Sequence, residues 1–165
     1  MAKIIELTQG QFAIVDEEDF ERVDKFKWRA NRKKNGNFYA RTHWRDENGR
    51  AIKKDLYSFV VNFKKEQQVD HINLNTLDCR RKNLRVATKQ QNRFNTSVKE
   101  TNKTKFKGVT FRGENIFEAK ISCNKIYYKL GKFNNAEDAA KAYDKKAKEL
   151  FGEFAWSNFK EVNYE

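Results

Sequence analysis

Apolar and polar positions alternate in short runs at the start of the chain. In KIIELTQGQFAIV (residues 3–15), two such runs flank Gln9-Gly10, predicting two strands around a turn. DEEDFERVDKFKW follows, acidic first and basic last, as a short helix prefers, with Phe20, Val23 and Phe26 at helical spacing on a core face. Turn signals at Asn35-Gly36 and Asn48-Gly49 bracket NFYARTHWR. Its alternation puts Phe38, Ala40, Thr42 and Trp44 on one face, and Tyr39, Arg41, His43 and Arg45 on the other. DLYSFVVNF (55–63) is apolar enough for a buried helix. Val69–His71 and LRVA (84–87) read as strands flanking a polar loop over 72–82. Thr88-Lys89-Gln90-Gln91 matches a capping box, so a helix is expected from about Lys89.

From residue 93 the text turns polar and aperiodic, predicting a linker over 96–105. The pattern then resets. KGVTFRG, NIFEAKIS and KIYYKLGKF are three strand-like runs parted by residues 113–115 and 123–125. Asn135 can cap a helix whose Ala136, Ala139, Ala140, Tyr143, Ala147 and Leu150 share one face, and Gly152 stops it. The class is α+β in two parts. Residues 1–95 hold a small sheet and helix leading into a strand–loop–strand–helix unit over 69–95. Residues 106–160 form a three-stranded antiparallel sheet packed on one helix.

Charge narrows the function. A formal charge of +12 and pI near 9.7 accompany 14% aromatic residues. Disorder pairs high charge with few aromatics, so this is a folded basic protein, and nucleic acid is the first partner such a surface suggests. The charge is also unevenly spread. Residues 1–30 carry five basic and seven acidic groups, against fifteen basic and three acidic over 79–132. The two cysteines, Cys79 and Cys123, form no C-x-x-C pair, which argues against a zinc knuckle or disulfide framework and suits a reducing cytosol. Neither a signal peptide nor an apolar run long enough to span a bilayer is legible, so a cytoplasmic protein off the membrane is expected.

Residues 69–92, VDHINLNTLDCRRKNLRVATKQQN, carry the candidate chemistry. Asp70 offers a hard carboxylate oxygen and Asn92 a hard amide oxygen, a pair suited to Mg²⁺ or Mn²⁺ that keeps several waters and meets a substrate phosphate. His71, neutral near pH 7, can take the proton from an attacking water. Asn83 stands where it can hydrogen-bond across the loop and fix the backbone around His71. Asn92, one turn into its helix, can face back toward Asp70. Arg80, Arg81 and Lys82 start a basic surface inside the loop, and Arg85 and Arg93 continue it. With Arg41 and Arg45 they are candidate contacts to double-stranded DNA. An Asp-His pair alone is most often structural, and a basic face is often merely solvated; the constellation on a very basic chain is what points to phosphodiester cleavage.

That text resembles the HNH endonucleases of bacteriophages and mobile introns, the homing type included. The resemblance covers about 24 contiguous residues, and LTQGQFAIVDEEDFERVDKFKW is similar to the leader of many phage members. It implies a ββα-metal motif in which Asp70 and Asn92 hold the metal, His71 is the general base and Asn83 the middle asparagine. Leu74 stands where glycine is common and Cys79 where asparagine is common. Tyr57-Ser58 stands where relatives often carry His-Arg. The C-terminal part, KGVTFRGENIFEAKIS to WSNF, is similar to plant ethylene-response-factor DNA-binding domains, with Phe117 in place of the usual tryptophan. That likeness implies a sheet that reads the major groove, with Thr110, Arg112, Lys120, Lys125 and Lys129 on the DNA side.

The reading is a metal-dependent, sequence-directed DNA endonuclease. One site per chain cuts one strand, so a monomer nicks and a homodimer cleaves both. A DNA-binding regulator with an unused HNH frame is the alternative. A basic RNA-binding protein explains the charge but not Asp70, His71, Asn83 and Asn92 together.

Overall fold

The computed structural model describes residues 1–34, 36–98 and 100–159. Asn35 of the expected Asn35-Gly36 turn, Lys99 of the expected linker and residue 160 lie outside them. The chain is a mixed α/β protein with several small antiparallel sheets, and it divides into two compact units, Met1–Asn92 and Arg93–Glu165.

In the first unit, β1 (Ala2–Glu6) and β2 (Phe12–Asp16) pair antiparallel around a 3-10 turn, where Gln9 and Gly10 both take positive φ. Helix α1 (Glu17–Val23) starts on three acidic residues but ends before Phe26. Phe26 therefore packs from the following segment, against Trp28, Trp44 and Phe59. Strands β3 (Arg29–Arg32), β4 (Phe38–Arg45) and β5 (Ala51–Asp55) form an antiparallel sheet. Ala40 and Thr42 are buried in it, as the alternation predicts. The helix expected over 55–63 shrinks to one turn, α2 (Tyr57–Val60): Asp55 belongs to β5, and the β-branched Val61 is already extended. Then β6 (Gln68–His71) pairs with β7 (Leu84–Ala87), and α3 (Lys89–Phe94) follows. Ile5, Ala13, Val15, Val23, Trp28, Leu56, Val60, Val69, Cys79 and Leu84 are part of one core.

The second unit is built from β8 (Val109–Gly113), β9 (Ile116–Cys123), β10 (Ile126–Phe133) and α4 (Ala136–Phe151). The sheet is antiparallel in the order β10-β9-β8. Both hairpins turn on two residues with positive φ, Glu114-Asn115 and Asn124-Lys125, the backbone that matches strand twist. Asn135 caps α4 by accepting from the Asp138 N–H. Ala139, Ala140, Tyr143 and Ala147 bury one helix face, while Val109, Ala119 and Ile121 are the buried positions of the sheet. Gly108, at φ 77°, admits no side chain, because a Cβ there would sit 1.9 Å from the Tyr143 ring. Described residues of the expected linker are held by side-chain bonds. Lys107 Nζ donates to the carbonyls of Phe94 (2.8 Å) and Thr96 (2.7 Å), and Asn102 Nδ2 donates to that of Phe106 (2.9 Å). Phe94 stacks on Phe151 at 3.8 Å.

Candidate active site

Strand pairing decides where the candidate residues stand. In the β6–β7 ribbon, Asp70 lies opposite Arg85 and His71 opposite Leu84. Asp70 is buried, and Arg85 holds it from across the ribbon, with Nε at 2.8 Å and a terminal nitrogen at 2.7 Å from the same oxygen, Oδ2. The α3 cap forms as the Thr88–Gln91 spacing predicts: Thr88 N–H donates to Gln91 Oε1 (2.8 Å) and Gln91 N–H to Thr88 Oγ1 (3.2 Å). That start places Asn92 so that its Nδ2 donates to Gln68 Oε1 at 2.7 Å. Gln68 and Asp70 are two residues apart on one strand and therefore share a face. The helix thus brings Asn92 to the face of β6 that carries Asp70.

His71 ends β6 at 5% exposure. Tyr39 and Tyr57 meet its ring edge-on at 6.2 and 5.8 Å, and Cys79 Sγ lies 4.0 Å from Nε2. Burial depresses its pKa from 6.5 to about 4, against the pull of Asp70, Asp78 and Asp55, so the imidazole is neutral at pH 7. The Cys79 thiol, also buried, is pushed up to about 12 and stays protonated.

Loop 72–83 is held from inside. Asn83 Oδ1 accepts from Asn73 N–H (2.9 Å), its Nδ2 donates to the Asp78 carbonyl (2.7 Å), and its own carbonyl accepts from Ile72 N–H (2.9 Å). Asp78 accepts two bonds from Arg80 (2.7 and 2.6 Å) and one from Asn73 Nδ2 (2.9 Å), and Arg80 holds its carboxyl below the usual range. From outside, β2 fastens the loop: Ile14 N–H donates to the Leu77 carbonyl and Cys79 N–H to that of Ile14, both at 2.8 Å. Arg81 reaches buried Asp19 on α1 with two bonds of 2.8 Å, while its backbone N–H donates to Asp16. The N-terminal hairpin and helix are thus the frame against which the loop is braced.

The candidate DNA contacts separate into two groups. Arg41 donates to Asp55 at 2.7 and 2.9 Å, Arg80 to Asp78, Arg81 to Asp19, Arg85 to Asp70 and Arg112 to Glu118 (2.9 Å). Each of these five holds a carboxylate of the protein through Nε and one terminal nitrogen. Arg45, exposed, bonds the Gly49 carbonyl at 2.6 Å. Lys82, Arg93, Lys125 and Lys129 are exposed, whereas Thr110 and Lys120 are half-buried. On the second unit's sheet, Thr110, Arg112, Glu118, Lys120 and Lys129 alternate with the buried positions and so form the face away from α4; Lys120 and Lys129 stand directly opposite each other.

Gln68, Asn73, Asp78 and Cys79 went unremarked as site partners in the sequence. The Asn-Asp density of 72–82 signals side-chain-to-backbone turns, but which acid braces which residue is settled only by the folded loop.

Asp70 and Asn92 are the oxygen-donor types that a hard divalent cation retaining most of its water takes, and Asp70 Oδ2 is held by Arg85. Among the described residues, no group of three or more His, Cys, Asp and Glu side chains offers an all-protein cage.

The family model described as HNH endonuclease matches residues 41–94. An uncharacterized HNH endonuclease, L560, of Acanthamoeba polyphaga mimivirus is 36% identical over 152 residues, covering 91% of this chain and 76% of that protein. The chain belongs to the HNH endonuclease family and is a DNA-cleaving enzyme. Among the described residues, no helix is long and apolar enough to cross a membrane.

Proposed function

We propose that the chain hydrolyses phosphodiester bonds of double-stranded DNA at Asp70, His71 and Asn92 with Mg²⁺ or Mn²⁺, directed to its sites by contacts from the second unit. The observation that carries this reading is the bond from Asn92 to Gln68, which brings an amide to the face of β6 that carries Asp70. Asp70 and Asn92 would hold the metal. When bound, it offsets charge on the attacked phosphate and on the departing 3′ oxygen. His71 accepts the proton of the attacking water as a neutral imidazole, and Asn83 holds the loop behind it. The outer face of the β8–β10 sheet anchors the duplex. Lys120 and Lys129 face each other across the ladder, a like-charge pair that an anionic phosphate relieves. A monomer nicks; two chains are needed to cut both strands.

One observation favours the alternative of a DNA-binding regulator with an unused site: Arg85 occupies an Asp70 oxygen. Nicking of supercoiled plasmid separates the two. The wild-type chain should relax plasmid with Mg²⁺ or Mn²⁺ and not with EDTA, and His71→Ala should lose about 10²–10⁴-fold in rate. Plasmid binding without nicking under any divalent metal would leave the regulator.

A further inference from the structure

Tyr57 interrupts the site's text, yet it lies against the proposed base. Its ring centroid is 5.8 Å from that of His71, with the planes at 85°. Tyr39 meets the same imidazole at 6.2 Å and 83°, and the two tyrosines meet each other at 6.4 Å and 73°. Phe63 backs Tyr57 at 6.0 Å. His71 therefore meets an aromatic wall of two adjoining rings on one side, and each ring belongs to a stiff side chain with few torsions to relax.

The Tyr57 wall is itself fastened. Its hydroxyl lies 3.3 Å from Asp55 Oδ2, a long bond, while Asp55 is gripped by Arg41 at 2.7 and 2.9 Å. Ser58 Oγ donates to the Asp55 carbonyl at 2.6 Å, so the single turn of α2 is tied to the end of β5. Both ring neighbours of His71 are thus ordered from β4 and β5 rather than from the β6–β7 ribbon.

We infer that Tyr57 and Tyr39 are positioning residues that fix the plane of the His71 imidazole, with Arg41 and Asp55 acting behind Tyr57 rather than on DNA. The role rests on the nuclease reading for its catalytic consequence; the orientation of the ring does not. The ring of Tyr57 carries most of the effect, because its hydroxyl bond is long and a flat apolar wall needs no hydroxyl.

The test uses the full chain, with supercoiled plasmid as substrate and Mg²⁺ present. Tyr57→Leu should slow single-turnover nicking at saturating protein by about 10- to 100-fold, as misplacing a reacting group does, while plasmid affinity stays at the wild-type value. Tyr57→Phe should restore most of that loss. The chain has two histidines, so a proton–carbon correlation spectrum of the imidazoles holds one His71 and one His43 set. The His71 signals should move in Tyr57→Leu, while those of His43, exposed on β4, stay in place and report the fold. Should Tyr57→Leu not fold, Tyr39→Leu removes the adjoining ring and should show the same split. Wild-type nicking with unmoved His71 signals in these variants would overturn the inference. So would a Tyr57→Phe that falls as far as Tyr57→Leu, or a loss of rate that merely tracks plasmid affinity. If the wild-type chain does not nick at all, the nuclease reading fails, and the spectra alone decide whether the tyrosines hold the ring.

Discussion

Arg80 and Lys129 are both basic residues on a chain of formal charge +12, yet only the first grips a buried acid. Arg80 closes on Asp78, at 2% exposure, inside the site loop. Lys129 is exposed on an edge strand and faces Lys120 across the ladder. The contrast extends to their surroundings. Arg41, Arg81 and Arg85 also hold carboxylates of their own unit, whereas on the second unit's outer face Arg112 holds Glu118 while Lys120 and Lys129 face each other. Positive charge beside the site loop is therefore not by itself the sign of a phosphate contact. In the first unit it builds the loop; in the second it makes a field.

The largest expected effect is acid sensitivity of the site unit. His71 has a folded pKa near 4 against an ordinary 6.5, so between those values the unfolded chain binds a proton that the folded one refuses. Stability of the metal-free protein should fall as pH drops from 6.5 to 4, by about 3 kcal/mol in all. Urea unfolding across that range measures it, and His71→Gln should flatten the slope.

Next comes Arg80→Ala, which strands the Asp78 carboxylate. It should cost about 2–3 kcal/mol of stability while leaving the salt dependence of DNA binding unchanged. A reduced salt slope with intact stability would make Arg80 a phosphate contact and erase the contrast. Lys129→Ala should behave in the opposite way and smallest in energy. It should gain a few tenths of a kcal/mol, about the cost of facing like charges, and lower the salt slope of DNA binding by about 0.9.

Much of the frame was legible because local spacing caused it. The Thr88–Gln91 cap, the two hairpins at 113–115 and 123–125, the alternation of β4 and the alanine face of α4 each depend on residues a few positions apart. Asp70, His71, Asn83 and Asn92 were picked out as residue types, and the structure places all four on the β6–loop–β7–α3 frame. The braces were not legible. Arg81 and Asp19 lie 62 residues apart, and no periodicity announces such a pair. The sequence shows each arginine's charge without the carboxylate that the fold sets beside it. The helix expected over 55–63 failed for a related reason: apolarity measured burial, while Asp55 and Val61 were taken by extended backbone.

In the proposed division of labour within the site, Asp70 and Asn92 hold the metal and His71 moves the proton. Mn²⁺ binding by electron paramagnetic resonance, beside plasmid nicking on the same samples, tests it most directly. Asp70→Asn and Asn92→Ala should weaken Mn²⁺ binding, His71→Ala should retain it, and all three should stop nicking. Undiminished Mn²⁺ binding in Asp70→Asn, or nicking that survives in His71→Ala, would contradict the account.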